Sequence, residues 1–163
     1  MNTIATKYCP NLRIFNTASS LIYGIGNIGR QDDGLGWAFI DWLTNENILS
    51  KAETMKHYQL HLEDADLISH KKRVLFIDAT KEADVKTFEF VKIEPKLDFT
   101  FTSHDISIAS ILATCNLCFD YIPEVYLLKI KGYEWELKEG LTDKAIENLN
   151  ISKDIFKNIQ KTI

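Results

Sequence analysis

No apolar run in this 163-residue chain reaches the roughly 18 residues needed to span a bilayer, so no membrane segment is expected. The opening stretch, MNTIATKYCPNLRIF, lacks a long apolar core and a small-residue cleavage site, so no secretory signal is read there. Three cysteines do not make a disulfide framework in a chain of this size. A reducing, cytoplasmic home is therefore the default. No basic cluster is present to track a phosphate backbone, and net charge is −4, so nucleic acid is not an expected partner. No repeat, low-complexity segment or internal linker divides the sequence. What remains is one domain, and 45% hydrophobic residues are enough to give it a core.

The most informative stretch is Leu21 to Gly36, LIYGIGNIGRQDDGLG. An apolar run feeds a glycine-rich turn that ends in two adjacent carboxylates, Asp32 and Asp33. Leu35, Ala38, Phe39, Trp42 and Leu43 then recur at spacings of three and four, which predicts a helix. A strand, a tight loop and a helix follow one another. In an open α/β sheet such a loop lies where ligands bind. Gly24, Gly26 and Gly29 fit the dinucleotide fingerprint G-x-G-x-x-G. Two carboxylates at the helix start would repel a diphosphate, however, and the expected downstream acid is poorly placed: Glu46 follows the helix and Glu63 comes late. The loop suits a metal or a water nucleophile better than a phosphate. A dinucleotide-binding module stays as the alternative.

This motif, G-x-G-N-x-x-x-x-D-D-G-x-G, resembles the opening of the nickel–iron hydrogenase maturation endopeptidases. Gly24, Gly26, Asn27, Asp32, Asp33, Gly34 and Gly36 carry the match. Val74 to Ala79, Ser103-His104, and Ile130 to Leu141 with Glu134-Trp135 and Gly140-Leu141 follow in the right order. The resemblance covers roughly Ser20 to Leu149. Residues 1–18 form an N-terminal extension beyond it, expected to pack loosely on a single domain of residues 19–163. Two departures touch the loops that would meet a substrate. Thr80-Lys81-Glu82-Ala83-Asp84 has no glycine after Asp78, and Gly132 stands where a proline is common.

The remaining pattern predicts a three-layer α/β/α domain with a mostly parallel five-stranded sheet. Strands are expected at Leu21–Tyr23, His57–Leu62, Arg73–Ala79, Phe88–Ile93 and Glu124–Lys131. The near-continuous apolar run of Arg73–Ala79 is that of a parallel strand buried on both faces, and Phe88–Ile93 is read as an edge. Helices are expected after the glycine loop to about Leu43, at Ile48–Met55, at Glu63–His70, and at Ser103–Phe119, the longest. Pro95–Thr102 is read as a loop. Two C-terminal helices, Thr142–Leu149 and Ser152–Ile163, would be capped by Thr142 and Ser152.

Three chemical groups converge in such a topology. Asp33 follows the first strand, Asp78 ends the buried strand, and His104 opens the long helix. Loops after parallel strands gather at one sheet edge. Two carboxylates and an imidazole form an O/N ligand set that suits nickel or zinc without a thiolate. A helix N-terminus would keep the His104 imidazole neutral and able to ligate. Each group also has a structural reading: Asp33 as a helix-start acid, Asp78 as a strand-end acid facing solvent, His104 as a helix-start residue beside a Ser103 cap. Asp32 is read as the structural member of its pair, an N-cap or turn former facing away from the cluster. Cys115-x-x-Cys118 is read as two small apolar residues in a helix. His57, His61 and His70 are read as solvated. Phe101, Tyr133 and Trp135 are read either as a partner surface or as core.

The resemblance implies that Asp33, Asp78 and His104 bind metal, specifically the nickel already loaded into a hydrogenase large-subunit precursor, with no catalytic metal in the protease itself. The implied reaction is peptide hydrolysis by an aspartyl-type protease, one cut that removes the C-terminal tail of that precursor. A carboxylate of the set could also orient or deprotonate the attacking water. The implied partner is the large-subunit precursor, and the protein is expected to be a monomer with no membrane or nucleic-acid partner. A non-catalytic relative that binds a hydrogenase subunit without cutting it stays open as well.

Overall fold

The structure, a computed structural model, describes residues 11–97 and 106–157. Its strands are β1 (Ser20–Ile25), β2 (Glu53–His57), β3 (Arg73–Thr80), β4 (Phe88–Ile93) and β5 (Glu124–Lys131). Its helices are α1 (Leu35–Asn45), α2 (Asp64–Ser69), α3 (Ile108–Phe119) and α4 (Asp143–Lys157). The five strands form one sheet in the order β2-β1-β3-β5-β4. All pairings are parallel except β4 with β5, which makes β4 an antiparallel edge.

Alternation along the central strands builds two cores. Ile22, Leu75, Ile77, Leu128 and Ile130 face α1 and α4. Leu21, Tyr23, Val74, Phe76 and Val125 face α2 and α3. Every residue of β1 is buried, as a parallel strand covered on both faces requires. The strand order also fixes where a ligand can enter. The chain runs from β1 outward to β2 through α1, then back across to β3 through α2. The order therefore reverses between β1 and β3, and a crevice opens at their carboxyl ends. Among the described residues no helix is long and apolar enough to cross a membrane.

Four expectations need correction. The second strand is Glu53–His57, not His57–Leu62, and it pairs with β1 from Leu21↔Glu53 to Ile25↔His57. Four of its five residues are exposed, so an edge strand without an apolar side gives no alternation to read. No helix covers Ile48–Met55. Asn47 and Leu49 take left-handed φ values of 54° and 53°, which a right-handed helix excludes, while Ile48 and Leu49 plug the core. Helix α3 begins at Ile108. Ser107 is its extended N-cap and accepts the Ser110 N–H at 3.1 Å, so the cap is not Ser103. Helix α4 is continuous through Ser152 and, at 15 residues, is the longest described. Ser152 is buried in mid-helix and donates its hydroxyl to the Leu149 carbonyl at 2.7 Å. Thr142 does cap α4, accepting the Ala145 N–H on Oγ1 at 3.3 Å.

The N-terminal extension is not loose where it is described. Leu12–Phe15 forms a single 3-10 turn capped by Asn11. Phe15 is fully buried and meets Tyr126 and Phe90 edge-on, with ring centroids 5.5 and 6.5 Å apart. This turn packs on the α1–α4 face of the sheet beside the antiparallel edge.

Candidate active site

The loop after β1 is wired to itself. Gly26 turns at φ +146°, where a side chain would come within 1.9 Å of the Asp33 carbonyl oxygen. The Asn27 N–H donates to that same carbonyl at 3.1 Å, and Asn27 Oδ1 accepts from the Gly29 N–H at 2.8 Å. A 3-10 turn over Gln31–Gly34 leads straight into α1. At Gly36 a methyl would lie 2.4 Å from the Ile25 carbonyl and 2.5 Å from the Ile77 carbonyl. The start of α1 thus rests directly on the ends of β1 and β3, and the acidic turn stands over the reversal point of the sheet.

Asp33 and Asp78 come to this point from its two sides. Asp33 is half-buried in the turn after β1. Burial pushes its carboxyl above the ordinary aspartate value, and the Asn27 N–H, Arg30 and Lys81 pull it partly back. Asp78 lies near the end of β3, opposite Lys129 of β5, half-buried, with Oδ1 accepting the Ala79 N–H at 2.8 Å. His104 lies outside the described residues. Among the described residues no group of three or more His, Cys, Asp or Glu could hold a metal.

Asp32, next door, does something different. It is fully buried and accepts four hydrogen bonds from a loop more than 100 residues away. Oδ2 takes the Tyr133 N–H at 2.7 Å, the Glu134 N–H at 3.1 Å and the Thr142 hydroxyl at 2.8 Å, and Oδ1 takes the Thr142 N–H at 2.8 Å. Gln31 extends the clasp, donating from Nε2 to Glu134 at 3.0 Å and accepting the Glu136 N–H at 3.0 Å. Backbone N–H groups of Gln31 and Asp32 reach the Lys138 and Glu134 carbonyls. The loop from Gly132 to Thr142 is thereby fastened over the acidic turn. Trp135 on that loop carries the Lys81 ammonium 4.7 Å from its ring centroid. Tyr133 is exposed, while its hydroxyl takes the Asn148 amide at 2.8 Å. These two aromatics belong to the site wall and not to the core; Phe101 lies outside the described residues.

The same wiring weighs against a dinucleotide. The N–H groups of Asn27, Gly29, Arg30, Gln31, Asp32, Asp33 and Leu35 all have partners within the protein. A pyrophosphate cradle needs such groups free at a helix start. Outside the cleft, Cys115 is buried with its thiol directed at the Tyr121 carbonyl 3.3 Å away, and Cys118 is exposed. His57, His61 and His70 are exposed, His57 against the Tyr23 ring.

Solved structures share this architecture. The maturating endopeptidase HybD of E. coli superposes with a TM-score of 0.65 at 16% identity, over 88% of this chain and 93% of that one. A [NiFe] hydrogenase maturation protease, HycI of Thermococcus kodakarensis, gives 0.67 at 17% identity, over 89% and 94%. The hydrogenase 2 maturation peptidase of a Thaumarchaeota archaeon gives 0.61 at 15% identity, over 83% and 93%. This is the hydrogenase maturation endopeptidase fold. No family model matches the sequence, and no curated protein matches it. Within the maturation endopeptidase fold, Arg30, Lys81 and the Asp32 clasp are the features that sequence reading missed. Lys81 had a signal, the absence of glycine after Asp78, but nothing local marks Trp135 as its seat.

Proposed function

We propose that this protein is an endopeptidase that removes the C-terminal tail of a nickel-loaded hydrogenase large-subunit precursor and recognises the bound nickel through Asp33, Asp78 and His104. One observation carries the reading. Asp33 follows β1 and Asp78 lies near the end of β3, the two strands between which the sheet order reverses, within the fold of the maturation endopeptidases. The nickel arrives as part of the substrate. Arg30 and Lys81 beside Asp33 oppose a free divalent ion there, and three ligands fill only part of a coordination sphere. The precursor supplies the rest, so that only a loaded precursor sets its tail in a near-attack geometry. A carboxylate of the set can orient the attacking water. The protein works as a cytoplasmic monomer without a metal of its own.

The test is to incubate the protein with nickel-free and nickel-loaded precursor and follow loss of the tail by mass spectrometry. Only the loaded form is expected to be cut. Equal cutting of both forms would overturn nickel recognition. Binding of a loaded precursor without cutting would make the protein a non-catalytic relative.

A further inference from the structure

Arg30 and Lys81 are cations on the rim of the cleft, contributed by the loops that follow β1 and β3. Both rest on Trp135. The Lys81 ammonium sits over its ring at 4.7 Å, and Arg30 Nη2 donates to its carbonyl oxygen at 3.4 Å. A backbone bridge from Arg30 to Lys138 ties the same two segments. Arg30 directly precedes the turn that carries Asp33, and Lys81 directly follows β3, so both lie at the carboxyl edge of the sheet. Both are exposed, and among the described residues neither forms an ion pair.

Their neighbours are already engaged. Lys129 lies 2.8 Å from both Glu82 and Glu89. Lys131 donates to the Lys81 and Glu82 carbonyls at 2.9 and 2.7 Å. Glu82 is held by Lys129, and Glu134 by Gln31. Two exposed cations with no ion-pair partner among the described residues, set side by side on Trp135, leave donors free for an anion. The Trp135 face holds the Lys81 ammonium in place before any ligand arrives, and a guanidinium can grip a carboxylate through two donors.

We propose that Arg30 and Lys81, seated on Trp135, form a subsite for a carboxylate of the segment that enters the cleft, either an Asp or Glu side chain or a free C-terminus. The identity of that segment as a substrate tail rests on the endopeptidase reading; the charge preference does not.

The subsite is tested by NMR on the isotope-labelled full-length protein, following the Trp135 indole and Gly132 amide resonances. Three probes share an alanine-rich hexapeptide frame: one with two glutamates and an amidated end, one with two glutamines and an amidated end, and one with two glutamines and a free end. Saturable shifts are expected with the glutamate peptide, the free-ended peptide or both, and which of them binds identifies the source of the carboxylate. The amidated glutamine peptide is expected to leave the spectrum unchanged. In the Arg30→Glu, Lys81→Glu double variant the carboxylate probes should bind at least about tenfold more weakly. The single variants Arg30→Gln and Lys81→Gln stand in if the double variant lacks a folded spectrum. Equal shifts from all three probes, no shift from any, or undiminished binding by the variants would each overturn the proposal.

A cleavage arm separates the two readings. Neutralising the carboxylates of a loaded precursor's tail should slow the wild type about tenfold and should not slow the charge-reversed double variant. Cutting that ignores tail charge overturns the subsite and keeps the endopeptidase. Charge-selective peptide binding with no precursor ever cut keeps the subsite and overturns the endopeptidase.

Discussion

Asp32 and Asp33 are neighbours in sequence with opposite surroundings. Asp32 has no contact with solvent and four donors aimed at its two oxygens. Asp33 is half in water, and burial outweighs the groups that favour its charge. One carboxylate is spent on holding the Gly132–Thr142 loop; the other is left under-compensated at the crevice. A strongly satisfied buried acid stabilises a fold, whereas an acid that is costly to ionise is a mark of a working site. If the proposed function holds, two acids in a row divide scaffold from chemistry across a single peptide bond.

The largest expected effect breaks the scaffold half. Asp32→Ala leaves the Tyr133, Glu134 and Thr142 donors without their acceptor, and it should cost roughly 3–5 kcal/mol of stability. Urea unfolding checks this, and a loss under about 1 kcal/mol would show that water replaces the clasp. Thr142→Val removes one hydroxyl that both donates to Asp32 and caps α4. Its expected cost is smaller, about 1–2 kcal/mol.

The smallest expected stability effect belongs to Asp33, and its sign is opposite. The folded-state value is raised, so the folded protein holds the Asp33 proton more tightly than the unfolded chain. Ionised Asp33 therefore destabilises the fold, an effect absent at low pH that develops as pH rises from the ordinary aspartate value through the raised one. Asp33→Asn should be at least as stable as the wild type at neutral pH. The difference should vanish as pH falls below the carboxylate range in parallel denaturation curves. A variant markedly less stable than wild type at neutral pH would make Asp33 a second scaffold acid.

What could be read in the sequence follows from how each signal is encoded. β1 and residues 74–77 of β3 are buried on both faces, so they appear as apolar runs whatever surrounds them, and β5 shows one over residues 125–128. β2 is an exposed edge whose only instruction is its pairing with β1, and pairing leaves no local pattern. The buried stripe of α4 passes through Asn148 and Ser152, and two polar residues there hide its continuity. Asp32 could be read as structural, but its partners are more than 100 residues away and no short-range rule names them. The crevice itself was legible, because the glycine loop and the carboxylate ending an apolar strand are both local facts.

The central claim is that Asp33 works on the substrate and not on the fold. Its most direct test is single-turnover cleavage of nickel-loaded precursor by Asp33→Asn, at a temperature where the variant is shown to be folded. The account predicts a loss of at least about 100-fold, the scale of a misplaced reacting group, with stability unchanged or raised. Cutting at the wild-type rate by the folded variant would contradict it.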